Sequence, residues 1–187
     1  YPLAEMTWGD GAAVYGGQSA AVDDADTADN GGPGDTYVSI TISGADETGV
    51  DFGFAYNLIV NVEDDSQADN AQSHQGSLRQ YIKNANAIGT TGGTTANDSE
   101  SRMQGATNRG RGGDAWWRIT TAADLPTLTY SGTTLDASTQ RTNSGTNSNT
   151  LGPEIEIDGA ATYRNLQISG GSCVVRELAS NNSLENG

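Results

Sequence analysis

Three sets of side chains in this chain have the types and spacing to do chemistry. The first is an acidic loop carrying Asp23, Asp24, Asp26 and Asp29, with a second cluster at Glu63, Asp64, Asp65 and Asp69. Carboxylates at close spacing in a loop are what a hard, oxygen-seeking Ca²⁺ ion requires, so the cofactor expected is either none or calcium, the latter at Asp23, Asp24, Asp26 and Asp29. Neither cluster has the complete Asp-x-Asp-x-Asp-Gly pattern with a distal glutamate, and a solvated acidic loop is the competing reading. The second set is Asp136, Glu154, Glu156 and Asp158, the last three alternating along one short run. Alternation would place them as a row on the outer side of a strand. Two carboxylates about 5 to 10 Å apart suit glycoside hydrolysis, yet any i, i+2 pair on a strand satisfies that spacing. The third set is the pair Trp116-Trp117. Exposed indoles stack on sugar rings, whereas strand alternation turns one tryptophan inward and the other outward. His74 is the single histidine, so neither a Cys/His zinc set nor a Ser-His-Asp triad can be assembled. No catalytic residue is assigned, and the chain is expected not to be an enzyme.

Those residues need elements to hold them, and the clearest lies in Asn57–Asn86, NLIVNVEDDSQADNAQSHQGSLRQYIKNAN. Asn57–Val62 is rich in Leu, Ile and Val, as in a strand. Ser77 then opens a short helix over Ser77–Ala87: its hydroxyl can accept from the amide three residues on, while Gln80 reaches back to complete a capping box. Leu78, Tyr81, Ile82, Ala85 and Ile88 fall at helical spacing on one apolar face, and Gly89 stops the run. A helix this short is marginal alone, so that face must cover something.

The run GVDFGFAYNLIVNVEDD…GSLRQYIKNANAI resembles the "SLR" segment of bacterial exported surface proteins. DLPTLT, TTLDASTQ and GPEIEIDG match the same pattern in the same order, so the resemblance spans roughly Gly49 to Leu178. It implies a right-handed parallel β-helix whose N-terminal end is closed by a strand and a helix. Ser77, Leu78, Gln80 and Ile82 are the residues expected to carry the cap. The segment before Asn57 resembles the end of an immunoglobulin-like module.

Composition agrees with a thin core. Of 187 residues only 34% are hydrophobic and 25 are glycine, which suits a ladder of short strands better than one thick globular core. The net charge of −15 disfavours nucleic acid and anionic membrane surfaces and suits a soluble extracellular protein. No apolar run is long enough to span a membrane, and no signal peptide is recognisable. A chain starting at Tyr1 is expected to be a processed product or a segment of something longer. Cys173, the single cysteine, reads as a small buried thiol in a strand, a bridge between chains being the other reading.

Taken in order, the expected fold is mostly β: a small β-sandwich-like unit over 1–56 and a helix-capped parallel β-helix over 57–187. In the first unit YPLAEMTW, GAAVYGG, Tyr37–Ser43 and GVDFGFAYN are strand candidates. Residues 89–114 read as a long polar loop without periodicity, in which Arg102, Arg109 and Arg111 could dock an acidic surface. AWWRIT, PTLTY, TTLDAS, EIEID, RNLQI and CVVREL read as stacked strands, with a polar excursion over 141–152. Leu128, Leu135, Ile155, Ile157, Leu166, Ile168, Val174 and Leu178 are the expected core. The function expected is that of an extracellular or cell-surface structural protein acting by head-to-tail self-association or adhesion. A module binding surface glycan through Trp116, Trp117 or the acidic row, or a β-helix polysaccharide lyase or hydrolase, is the alternative.

Overall fold

Short Leu/Ile/Val runs divided by Gly, Asn and Ser are too brief to bury both faces alone and must share a core by lying edge to edge. The computed structural model describes residues 5–8, 14–15, 44, 52–66, 73–74, 76–90, 96–103, 106–161 and 163–184. Among them the protein is mostly β, with two short helices. β1 (Glu5–Trp8), β2 (Val14–Tyr15) and β3 (Phe52–Ala55) form an antiparallel sheet in the order β2-β1-β3. These are three of the four strands expected before residue 57. The fourth, Tyr37–Ser43, lies outside the described residues, as do Asp23, Asp24, Asp26 and Asp29.

Beyond residue 57 the pairing turns parallel. β4 (Leu58–Ile59) pairs with β5 (Glu100–Ser101), and β8 (Thr134–Asp136) pairs with β10 (Val174–Arg176). The bridge Asp98–Thr134 joins these two ladders. A second ladder runs through β7 (Asp114–Thr120), β9 (Ile155–Asp158) and β11 (Leu178–Asn181), all parallel, with β6 (Arg109–Arg111) added antiparallel to β7. A third is marked by the bridge Leu128–Ile168. The six strand runs read from sequence fall on these ladders in their order.

Register decides which side chains meet. Trp117, Ile155 and Leu178 stand in one column and Ile119, Ile157 and Ser180 in the next. Trp117, Ile119, Ile155 and Ile157 are buried there, together with Leu128 and Leu135, and Leu166 and Leu178 pack partly against them. Two expected core residues are not covered: Ile168 is 44% exposed and Val174 is 42% exposed. Ile168 pairs with the buried Leu128, and no further rung lies over it among the described residues. Val174 pairs with Thr134, and its neighbour Val175 is 38% exposed as well. It is Val175 that pairs with the buried Leu135, and a slip of one residue reverses which face a side chain occupies.

The helix α1 (Leu78–Ala87) has Ser77 as its N-cap, the hydroxyl accepting from Gln80 N at 3.1 Å. Leu78, Ile82 and Ala85 are buried, as their spacing predicts. Gln80 does not close a capping box. Its Oε1 accepts from Ser73 N at 2.9 Å and its Nε2 donates to Asn84 Oδ1, while Ser77 N donates to His74 O. Nor is only one face covered, since Arg79, Gln80, Lys83 and Asn84 are buried as well. Lys83 Nζ donates to Ser73 Oγ and Asn84 Nδ2 to Tyr56 O, so the polar side of the helix is fastened to the segment before it. Tyr81 OH donates to Thr134 O on β8 at 2.8 Å, and burial pushes its ionisation far up.

Two expected loops contain regular structure. Residues 89–114 include β5 and β6, so Arg109 and Arg111 lie on a paired strand and not on a free arm. The 141–152 excursion begins inside α2 (Ser138–Ser144), closed by Gly145 in the left-handed region at φ 66°. In α2, Gln140 is buried and its Oε1 accepts from Met103 N, a contact between segments that no local pattern announces.

Candidate functional site

The outer side of β7, β9 and β11 gathers the aromatic and acidic side chains singled out from sequence. Strand alternation sends Trp117 inward and leaves Trp116 and Arg118 on the opposite side with Glu156. Trp116 is half-buried and its indole Nε1 donates to Glu156 Oε2 at 2.5 Å. Arg118 Nε donates to the same oxygen at 2.9 Å, and its Nη1 lies 3.1 Å from Asp158 Oδ2. From β11, Asn181 Nδ2 donates to Glu156 Oε1 at 2.8 Å, and beyond it Asn182 Nδ2 donates to Asp158 Oδ1. The three strands thus each supply one layer of the cluster.

Glu154, Glu156 and Asp158 do not form an exposed acidic row, because all three residues are buried. Glu154 accepts from Ser148 Oγ and Asn149 N in the loop before β9. Burial pushes the Glu156 carboxyl up, but donors from Asn181, Arg118 and Trp116, with the Arg118 charge, outweigh it and hold it below its ordinary range. Asp158 is balanced the same way, burial being overcome by Ala160 N, Asn182 and the charges of Arg118 and Arg109. Asp136 is elsewhere. It accepts from Ser138 N and Oγ just before α2, and Arg176 approaches it at 3.4 Å.

Beside the cluster lies an open concavity of about 300 Å³, lined by Trp116, Arg118, Glu156 and Asn181 with Asn149, Pro153 and Ala179. Among the described residues Arg118 Nη2 makes no hydrogen bond and Asn181 Oδ1 accepts none, although the other polar atoms of both side chains are engaged. Two residues with a polar atom to spare and an aromatic residue therefore line one hollow.

The remaining sequence candidates are dispersed. Arg102 pairs with Glu100 at 2.8 Å, Arg109 Nη1 donates to Asn108 O, and Arg111 is exposed. Trp117 is 8% exposed in the core, with its Nε1 lacking a partner among the described residues. His74 is half-buried, its backbone N–H donating to Asp65 Oδ2. Asp64, in the second acidic cluster, binds Arg79. Among the described residues no group of three or more metal-ligating side chains converges. Cys173 is half-buried, its thiol donating to Tyr130 O at 3.4 Å.

Sequence reasoning missed Arg118 and Asn181. Arg118 was findable, two places from Trp116 and so on its side of the strand. Asn181 was not, because only the pairing of β11 with β9 brings it to Glu156. Comparisons with protein-family models, with curated proteins and with solved structures find no match to this chain. No helix among the described residues is long and apolar enough to cross a membrane.

Proposed function

We propose that this chain is an extracellular structural protein that works by self-association: a small β-sandwich-like unit followed by a right-handed parallel β-helix capped by α1. The observation that carries the reading is the exposed rung that β10, β11 and Ile168 form among the described residues. β10 and β11 each pair on one side only among the described residues, and Val174, Val175 and Ile168 are 42%, 38% and 44% exposed. Val175 and Ile168 stand in register on buried Leu135 and Leu128, so the apolar columns continue to an uncovered surface. Parallel strand edges carrying apolar side chains are normally covered.

Three covers would fit such an edge, namely further rungs of the same chain, another protein or another copy, and the reading takes the last. The sheet β2-β1-β3, whose outer strands also pair on one side among the described residues, is the complement in a head-to-tail contact. Such a contact is heterologous and builds a filament unless its rotation closes a ring. In the basic segment 102–111 Arg102 is engaged with Glu100 while Arg109 and Arg111 are exposed, and in the acidic segment 63–69 Asp64 is buried against Arg79. Main-chain pairing and apolar burial should persist as salt is raised, and salt should weaken only the charged part of the contact. Export is supported by the strongly acidic composition and by the resemblance of the SLR segment. A binding or structural role is favoured over hydrolysis because Glu156 and Asp158 are both held ionised, whereas a glycosidase keeps one carboxyl protonated.

Light scattering of the purified chain over a concentration series tests this. Mass should rise with concentration for the wild type and stay monomeric for Val175→Glu, which puts a charge on an already exposed position. A monodisperse wild-type monomer at high concentration, or unchanged assembly of the variant, overturns the reading.

A further inference from the structure

The hollow between β7, β9 and β11 is independent of the end rungs. Its ingredients are the half-buried Trp116, Arg118 with its Nη2 donor and Asn181 with its Oδ1 acceptor, residues that line about 300 Å³ of open space. That size is at the lower end of small-molecule sites, enough for one ring of a larger chain. Each element is fixed before any ligand arrives. The indole N–H is held by Glu156, the guanidinium is shared between Glu156 and Asp158, and the Asn181 amide is anchored through its Nδ2. Preorganisation of this kind lowers the ordering cost of binding.

We propose that this hollow binds a neutral hexopyranose unit of a glycan, its apolar face against Trp116 and neighbouring hydroxyls shared between Arg118 Nη2 and Asn181 Oδ1. A pyranose ring has one apolar face and a rim of hydroxyls that both donate and accept, which matches an indole beside one donor and one acceptor. Charge selects a neutral sugar over a uronate. Two carboxylates, Glu156 and Asp158, face the single Arg118, so its positive charge is already compensated where an anionic ligand would need it. Glu156 has both oxygens engaged by protein donors and acts as the positioning residue for Trp116 and Arg118.

Affinity electrophoresis in native gels tests it, with soluble galactomannan, xyloglucan and mixed-linkage β-glucan as neutral probes and polygalacturonate as the acidic one. At least one neutral glycan should retard the wild type. Trp116→Ala and Asn181→Ala should each weaken that retardation about tenfold, and Trp116→Phe should restore part of it. Asn181→Ala guards against misfolding, because the backbone bonds of this exposed residue remain; a thermal midpoint near that of wild type confirms the fold. No retardation by any neutral probe overturns the proposal. So do equal retardation of wild type and both alanine variants, and retardation by polygalacturonate as strong as by the neutral glycans.

Discussion

Arg79 holds Asp64 with two parallel hydrogen bonds, Nε to Oδ1 at 2.7 Å and Nη2 to Oδ2 at 2.9 Å, and both side chains are only 1% exposed. The guanidinium also donates to the carbonyls of Asp124 and Ala123, while Asp64 Oδ2 accepts from Ala122 N. One ion pair therefore ties α1, the segment after β4 and the turn after β7 together. The SLR run gains a physical meaning: Ser77 caps, Leu78 packs and Arg79 is the buried cation that its neighbours satisfy. Breaking a buried pair leaves an uncompensated charge, so Arg79→Ala or Asp64→Ala should lower stability by about 3–5 kcal/mol in denaturant unfolding. Arg79→Lys should recover little, since an ammonium cannot reproduce the fork.

Leu78 lies 2% exposed beneath the same helix. Leu78→Ala should cost about 2–5 kcal/mol, the usual range for emptying a buried leucine site. An unchanged thermal midpoint would show that α1 is not packed against the ladders.

A Cβ added to Gly159 would fall 2.5 Å from Asn165 Oδ1 and 2.6 Å from the carbonyl oxygens of Asn182 and Tyr163. Backbone oxygens on two sides cannot yield as a flexible side chain would. Gly159→Ala should therefore destabilise the protein by about 1–3 kcal/mol, whereas Gly112→Ala meets no atom within 4 Å and should show only the strain of its φ of 64°. Thermal unfolding of the two variants separates crowding from backbone strain.

Glu156 and Asp158 make stability sensitive to acid. Both are held below their ordinary values in the folded protein, so their contribution is present above the unfolded carboxylate range and is lost as pH falls through the folded values. Unfolding free energy should decline on acidification over that interval. Glu156→Gln should be less stable than wild type near neutrality, and the gap should narrow as pH is lowered. Denaturant titrations at a series of pH values check this, and a gap independent of pH would exclude the assignment.

Local chemistry made part of this molecule legible from the chain alone. The N-cap at Ser77, the helix behind it and its end near Gly89 follow from hydrogen bonding and spacing within a few residues. That Trp116 and Trp117 turn to opposite sides follows from the two-residue period of a strand. What the chain alone could not decide was whatever depends on stacking. Glu154, Glu156 and Asp158 read as an exposed row because their covers come from elsewhere: Ser148 and Asn149 for Glu154, Trp116 and Arg118 from β7, and Asn181 and Asn182 at the far side. Arg79 and Asp64 are 15 residues apart and meet only because the turn at 122–124 closes over both. Ile168 alternates with the polar Gln167 and Ser169 and Val174 stands in the apolar run Cys173–Val175, yet register puts Val175 over Leu135 and leaves Ile168 on an uncovered rung. Alternation tells which side chains share a face; which face is buried depends on the strand lying next to it, and that is a property of the tertiary structure.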